Sequence, residues 1–240
     1  MKKILFFAFM MCAFLSCETT EYPVLEMEYA EDVIDIDGNV YKTVSIGDQT
    51  WMAENLRVTH FNDGTEIPLA PKGYKTSTYP DSYKDGKYIF CRETIDAEKC
   101  GLYYNWSAIT GAKNNESPRP SMSEECKNIC PEGWRIPTRQ DWEVLINNLG
   151  GKALAGGYLK GSTDWNAPNE GVINASKFAA MPSAQYLDGF DPYGYYAMFA
   201  TADESNTWTT EVIYIGYQTS EVIFLQNSKT AGISVRLIKE

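Results

Sequence analysis

Residues 130–151 read CPEGWRIPTRQDWEVLINNLGG, and they hold the most sharply bounded helix signal in the chain. Thr138 offers a side-chain oxygen to the first backbone N–H groups of a helix, and Asp141 three positions later completes a capping box. The apolar residues that follow recur at intervals of three and four and therefore share one face: Trp142, Leu145, Ile146 and Leu149. Gly150-Gly151 ends the pattern. The segment predicts an amphipathic helix over 138–149 that packs on a core.

Strand patterns stand on both sides of this helix. Asp37-Gly38 lies between two β-prone runs and predicts a hairpin over 33–44. Further strand-like segments lie at 49–53, 88–90, 207–210, 213–217, 221–226 and 234–238.

Between the strands, the spacing of Leu102, Trp106 and Ile109 predicts a second helix over 101–109. Residues 59–87 and 151–206 show no sustained period and indicate loops. Strands at both ends with helices between them predict an α+β domain with an antiparallel sheet, two main helices and a long loop region.

The N terminus carries an export signal. Lys2 and Lys3 precede an apolar run over 4–15, which suits a signal peptide and is too short to span a bilayer. Ser16-Cys17 at its end resembles a lipobox, so we expect cleavage before Cys17 and attachment of lipid to its thiol. The expected organisation is a signal peptide over 1–16, a lipidated tether over 17–32 and a globular domain over 33–240. The mature protein would be an outer-membrane lipoprotein that faces the cell surface or the periplasm.

Four further cysteines suggest disulfides, because exported proteins mature in oxidising compartments. Three pairings are possible, and we favour the two local ones, Cys91–Cys100 and Cys126–Cys130. A four-thiolate zinc site is the rival interpretation. Spacings of nine and four residues with no CxxC argue against that site, so no metal is expected.

Composition excludes several classes of function. The formal net charge is −11 and there is no basic cluster, so nucleic acid is not an expected partner. The single histidine, His60, lies in a polar stretch and is expected to be a surface or loop residue. A metal site or a catalytic triad built on histidine therefore has little to draw on, and no cofactor is expected.

Several blocks resemble the Fibrobacter succinogenes major paralogous domain. Residues 130–142 resemble its CPxGWxxPTxxEW signature, 51–57 its WMAENLR block and 101–106 its GRLYxW block, with Leu102 where arginine is usual. Residues 180–182 stand where ALP is usual, and 208–210 and 234–237 resemble its closing segments. The likeness covers about 33–239. It implies a C-type-lectin-like fold related to formylglycine-generating enzymes, in exported and often lipid-anchored proteins of Bacteroidetes and Fibrobacteres.

The expected function is a lipid-anchored binding module for a glycan or a protein ligand, as in adhesion. Aromatic residues crowd the long loop beside carboxylates, and such a surface suits a sugar ring or a protein partner. The candidate ligand-binding residues are Tyr186, Asp188, Phe190, Asp191, Tyr193, Tyr195 and Tyr196. The bland interpretation is that these rings pack the loop onto the sheet.

Three alternatives stay open. A structural or anchor subunit of a surface filament or lipoprotein complex would also use a lipid anchor. An enzyme is not expected, because the related formylglycine-generating chemistry uses a late cysteine pair and no cysteine follows Cys130. Residues 164–166 and 168–170 faintly resemble the calcium-binding elements of lectins, but in the wrong order and spacing.

Overall fold

The computed structural model describes residues 27–70, 90–91, 96–111, 128–187 and 192–240, with the backbone alone described at 90–91. The strands in these ranges are β1 Val33–Ile34, β2 Val40–Tyr41, β3 Thr43–Ile46, β4 Gln49–Met52, β5 Phe90–Cys91, β6 Tyr103–Tyr104, β7 Trp134–Arg135, β8 Gln185–Tyr186, β9 Tyr196–Glu204, β10 Thr209–Gly216, β11 Val222–Ser228, β12 Gly232–Ile233 and β13 Ile238–Lys239. The helices are α1 Ala97–Cys100, α2 Trp106–Thr110, α3 Arg139–Asn148 and α4 Lys152–Leu159.

These strands form four sheets, ordered β1-β2, β3-β4-β13-β7, β5-β6-β12-β8 and β11-β10-β9. The strands within each of these sheets pair antiparallel. The last strand, β13, pairs with β4 near the start of the domain, with Ile238 opposite Trp51. The fold is α+β with antiparallel sheets, and its two ends share one sheet.

The predicted hairpin is confirmed as β1-β2. The Asp35 carboxylate accepts the backbone N–H groups of Asp37 and Asn39 at 3.0 and 2.9 Å and so ties the turn together. Gly38 has a φ of +80°, a conformation that costs glycine little because it has no Cβ. The hairpin leaves Ile34 and Val40 opposite each other on an exposed face.

The predicted helix over 138–149 is confirmed as α3. The Thr138 hydroxyl accepts the backbone N–H of Asp141 at 3.2 Å, and the Asp141 carboxylate accepts the backbone N–H of Thr138 at 2.7 Å. Both halves of the capping box are therefore present. The predicted apolar face is buried at all four positions, Trp142, Leu145, Ile146 and Leu149.

The predicted helix over 101–109 is wrong in its first half. Residues 103–104 form strand β6, and helix α2 begins only after Asn105. Asn105 has an extended backbone, and its side chain accepts the backbone N–H of Ala108 at 3.0 Å, which starts the helix there. Leu102 and Ile109 are buried as predicted, but Leu102 lies before strand β6, whereas Ile109 lies in α2.

The long loop predicted over 151–206 is also wrong, because it contains α4 and the longest strand, β9. Helix α4 packs through small residues and so lacks an apolar period. A Cβ on Gly156 would lie 2.6 Å from the Ser220 carbonyl oxygen, and one on Gly157 would lie 2.2 Å from that of Gly171. Strand β9 is buried at five consecutive residues, 197–201, so the alternation that marks a half-exposed strand is absent.

The strands expected near the C terminus are confirmed in outline. The segments 207–210 and 213–217 overlap one continuous strand, β10 over 209–216, and the segment 221–226 overlaps β11 over 222–228. Of 234–238 only Ile238 lies in a named strand, although the segment is buried throughout and Ser234 bridges to Phe199. Among the described residues, none of the helices has the length and apolar character needed to cross a bilayer.

Candidate functional site

A buried arginine lies where several of the sequence blocks meet. Arg236 is 1% exposed, and its Nε donates to Asn55 Oδ1 at 2.6 Å. Its Nη1 donates to the carbonyl oxygens of Met52 at 3.2 Å and Phe178 at 2.6 Å, and its Nη2 donates to that of Ala179 at 3.2 Å. Burial lowers the pKa of Arg236 to about 9. The guanidinium therefore joins the segments around 52–55, 178–179 and 236.

Asn55 extends this contact to the block at 101–106. Its Nδ2 donates to the Cys100 carbonyl oxygen at 2.8 Å and to Ser183 Oγ at 3.1 Å. Gly101 then passes so close that an added Cβ would lie 2.6 Å from Asn55 Cβ. Ser183 Oγ lies 3.0 Å from Ser234 Oγ, which closes the network. We call Arg236, Asn55, Ser183 and Ser234 the polar hub.

An aromatic cluster lies against the polar hub. The centroids of Trp51 and Trp142 are 4.7 Å apart, and Trp142 stacks on Phe199 at 5.6 Å. Phe178 meets Phe199 edge to face at 5.8 Å, and the Arg236 guanidinium carbon lies 4.7 Å from the Phe178 ring centroid. Trp51 and Trp142 of the sequence blocks are thus core anchors, whereas Trp208 of the block at 208–210 is 70% exposed.

The candidate ligand-binding residues that the structure describes do not share one surface. Tyr186 is 2% exposed and belongs to the core, and Tyr196 is half-buried in β9. Asp188, Phe190 and Asp191 lie outside the described residues. Of the set, Tyr193 and Tyr195 remain as candidates with described side chains on a loop.

Tyr195 is 50% exposed, and its ring meets that of Tyr217 edge to face at 5.5 Å. On the same turn, Tyr193 hydrogen-bonds Asp164, and Asp164 Oδ2 lies 2.6 Å from Lys99 Nζ. The hydrogen bond from Lys99 is the main reason that the pKa of Asp164 lies below its usual value. We call these five residues the tyrosine surface. Sequence reasoning missed Lys99, Asp164 and Tyr217 as neighbours, because the turn at 192–195 brings them together.

A second candidate is a pocket of about 590 Å³ between the β1-β2 hairpin and helix α1. The hairpin and the segment after β4 contribute Asp37, Asn39, Arg57 and Thr59, and α1 with its following loop contributes Ala97, Glu98 and Leu102. We call it the Arg57 pocket. No pattern in the sequence predicts this pocket, although Arg57 belongs to the WMAENLR block.

His60 stands next to this pocket and is paired with the hairpin. Its Nδ1 lies 2.6 Å from Asp37 Oδ1, and Thr59 Oγ1 donates to Asp37 Oδ2 at 2.7 Å. Burial alone would raise the pKa of Asp37, but the hydrogen bonds from Thr59 and His60 outweigh it and hold the pKa below its usual value. As predicted, His60 is a loop residue, and it fastens the loop to the hairpin turn.

Neither favoured disulfide is seen among the side chains that the structure describes. Cys100 and Cys130 are both buried free thiols. Burial raises the pKa of Cys130 to about 12, so this thiol is protonated at neutral pH. The Cys91 side chain and Cys126 lie outside the described part, so the pairings Cys91–Cys100 and Cys126–Cys130 stay predictions.

The calcium-like segments do not converge on a metal site in the part of the chain that the structure describes. That part contains no group of three or more His, Cys, Asp or Glu residues able to hold a metal ion. Asp164 is engaged by Lys99, and the Asn169 side-chain amide lies 3.5 Å from the Gly161 carbonyl oxygen. These residues are occupied in holding the loop beside the tyrosine surface.

The comparisons with known proteins bear on the family. The chain matches no curated protein and no solved structure. The model of the Fibrobacter succinogenes major domain matches residues 44–239, from strand β3 to strand β13. That match takes in the polar hub, the aromatic cluster and both candidate surfaces apart from the hairpin. The chain belongs to the Fibrobacter succinogenes major domain family.

Proposed function

We propose that this protein is a lipid-anchored binding module whose tyrosine surface takes a glycan or a protein ligand. The observation that carries the proposal is the exposed Tyr195 ring, set edge to face on Tyr217, on the same turn as Tyr193, which hydrogen-bonds Asp164. Tyrosine offers a rigid apolar face with a polar tip, which is the combination that binding surfaces favour.

The arrangement suits a sugar in particular. A half-exposed ring offers its face to the apolar side of a sugar, and Tyr217 holds that ring in place at little entropic cost. The neighbouring ammonium and carboxylate supply a donor and an acceptor for hydroxyl groups. The proposal includes a C-type-lectin-like fold and no enzymatic activity. The shared sheet of the two chain ends supports that fold.

A glycan array tests the ligand. We expect the mature chain, residues 17–240 with Cys17→Ser, to bind a subset of glycans, and Tyr195→Ala to lose at least about tenfold in affinity. Tyr29→Ala is the matched control, since Tyr29 is 54% exposed and lies elsewhere on the surface. Equal binding by Tyr195→Ala and wild type would exclude the tyrosine surface as the ligand site.

The location has its own test. The signal peptide and lipobox support an outer-membrane lipoprotein that faces the surface or the periplasm, held by acyl chains on Cys17. We expect Cys17→Ala to leave the membrane fraction, whereas Cys12→Ala, in the same leader, stays processed and membrane-bound. Persistence of Cys17→Ala in the membrane would refute the anchor. Mass spectrometry of the purified wild-type protein tests the two predicted disulfides, because their formation would leave none of these four cysteines as a free thiol.

A structural or anchor subunit is the second candidate, and one observation favours it. The hairpin next to the tether exposes Ile34, Ile36 and Val40 at 60%, 50% and 45%. Exposed apolar residues that cluster on one hairpin indicate a site of contact with another protein. We expect Ile34→Ser with Val40→Ser to abolish any self-association seen by sedimentation, and Leu69→Ser, 44% exposed, to leave it unchanged. If the protein sedimented as a monomer at all concentrations, a subunit role that depends on self-association through the hairpin would be excluded.

A further inference from the structure

We propose that the Arg57 pocket is a second subsite that takes one uncharged, hydroxyl-rich ring, the unit of a neutral saccharide. The inference rests on the proposed function for its ligand class, but it concerns different residues from the tyrosine surface. The volume of the Arg57 pocket, about 590 Å³, falls within the range of small-molecule sites, roughly 300–1,000 Å³.

The guanidinium of Arg57 is fixed in position at the pocket wall. It lies over the Tyr41 ring, with its carbon 4.6 Å from the ring centroid, and Nη2 donates to the Val40 carbonyl oxygen at 3.0 Å. The Tyr41 hydroxyl accepts the backbone N–H of Arg57 at 3.0 Å and donates to Asp35 at 2.6 Å. Because Tyr41 is fully buried, this support is rigid. Arg57 is therefore held ready for a ligand, as a binding group must be.

One end of this guanidinium has donors to spare. Arg57 Nη1 is shielded from solvent and has no hydrogen-bond partner among the residues that the structure describes. A shielded donor of this kind costs free energy until an acceptor reaches it. Since Arg57 lines the pocket, a ligand oxygen bound there supplies the acceptor that Nη1 lacks and leaves the hydrogen bond from Nη2 to Val40 intact. The natural role of Arg57 is thus to anchor an oxygen of the ligand.

The charges around Arg57 favour a neutral ligand with hydroxyl groups over an anionic ligand. One guanidinium faces a pocket that also contains the carboxylates of Asp37 and Glu98, in a chain of net charge −11. An anionic ligand would gain from Arg57 and lose to both carboxylates, whereas a hydroxyl group accepts from Arg57 and donates to a carboxylate. Both oxygens of Asp37 already accept hydrogen bonds, so the exposed Glu98 is the acceptor for ligand hydroxyls.

Helix α1 connects this pocket with the tyrosine surface. Its residues Ala97 and Glu98 line the pocket, while Lys99 pairs with Asp164 and Cys100 Sγ lies 4.0 Å from the Tyr193 hydroxyl. The helix has only four residues and is ~6 Å long at 1.5 Å per residue. The pocket and the tyrosine surface therefore share one short helix, so that one oligosaccharide has a binding group on either side of it.

Amide NMR spectra of the mature chain, residues 17–240 with Cys17→Ser, test the subsite. The probes are the methyl glycosides of glucose, galactose, mannose and N-acetylglucosamine, with glucuronate and inorganic phosphate as anionic probes. We expect at least one glycoside to bind with a Kd on the order of 1 mM and to shift the amides of Thr59, Glu98 and Leu102. Arg57→Gln and, independently, Glu98→Gln should each weaken this binding about tenfold.

Arg139→Gln is the matched control, because Arg139 is 41% exposed at its side chain and lies on α3 away from the pocket. Glu98→Gln guards against misfolding, since its exposed side chain has no packing to lose. Tighter binding of glucuronate or phosphate than of every glycoside would overturn the ligand class. The subsite would be overturned if no probe changed the amide chemical shifts around the Arg57 pocket. It would also be overturned if those changes persisted in both Arg57→Gln and Glu98→Gln. Array binding that depends on Tyr195 would still stand, so the two proposals fail separately.

Discussion

Replacing Arg236 by methionine is expected to destabilise the protein by about 3–5 kcal/mol, the usual cost of removing one partner from a buried charged network. Methionine keeps most of the side-chain volume, so the change isolates the guanidinium. It removes the hydrogen bonds from Arg236 to Asn55 Oδ1 and to the carbonyl oxygens of Met52, Phe178 and Ala179. All four acceptors then lie buried without that donor.

The magnitude follows from two opposing terms. Four hydrogen bonds from a charged donor contribute about 1.5–3 kcal/mol each, or about 6–12 kcal/mol in total. Against this, the fully buried cation costs several kcal/mol of desolvation, and that cost disappears with the charge. The difference is a large part of a typical stability of about 5–15 kcal/mol. Arg236→Lys should lose nearly as much, because an ammonium cannot reach four acceptors that a planar fork spans.

Urea unfolding followed by tryptophan fluorescence measures the change, because Trp51 and Trp142 lie in the adjoining aromatic cluster. Arg139→Met is the matched control. Its side chain is 41% exposed and pairs with Glu143 and Glu211, so its loss should cost about 1 kcal/mol or less. A cost of under about 1 kcal/mol for Arg236→Met, or one no larger than that of Arg139→Met, would refute the polar hub as a stabilising centre.

Three further substitutions probe other parts of the fold. Burial lowers the pKa of Lys160 to about 8 from 10.5, so its desolvation cost is present below pH 8 and is relieved as pH rises to 10.5. Between pH 8 and 10.5, the free energy of unfolding of wild type should therefore rise by up to about 3 kcal/mol relative to that of Lys160→Met, as measured by urea titration. If the two free energies changed with pH in the same way, the prediction would be wrong. Gly101→Ala should cost ~2–4 kcal/mol because its Cβ meets Asn55 at 2.6 Å, against a smaller loss for Gly64→Ala, where nothing lies within 4 Å. Thr138→Ala should cost ~1 kcal/mol through the lost cap, and an unchanged urea midpoint would show that the cap is dispensable.

The elements that could be predicted are those whose causes lie within a few residues. The hairpin and helix α3 have their turn, their cap and their apolar pattern in one short segment each. Helix α4 and strand β9 have causes that lie elsewhere in the chain. Gly156 and Gly157 fit against backbone from 171 and 220, and β9 is covered on both sides. Neither arrangement leaves a local period to detect.

Arg236 shows the same limit within the site. In the segment 234–237 an alternating pattern would bury Val235 and Leu237 and expose Arg236, yet all three are buried. What holds Arg236 inside is Asn55, which lies 181 positions away, together with the carbonyl oxygens of 178–179. Tyr195 was found because aromatic residues in a loop are visible in a sequence. Tyr217 and Lys99 were missed because only the folded chain puts them beside it.

Four residues of the sequence blocks lie in the core, apart from the tyrosine surface that we propose to bind a ligand. Trp51, Asn55, Trp142 and Arg236 are each at most 2% exposed, so they are out of reach of a ligand. The residues of the tyrosine surface lie outside those blocks and can change without disturbing the polar hub. A family match over 44–239 therefore reports a shared core and leaves the ligand open. Arg57 is different, because it belongs to a block and also lines a pocket, and so links a family signature to an accessible site.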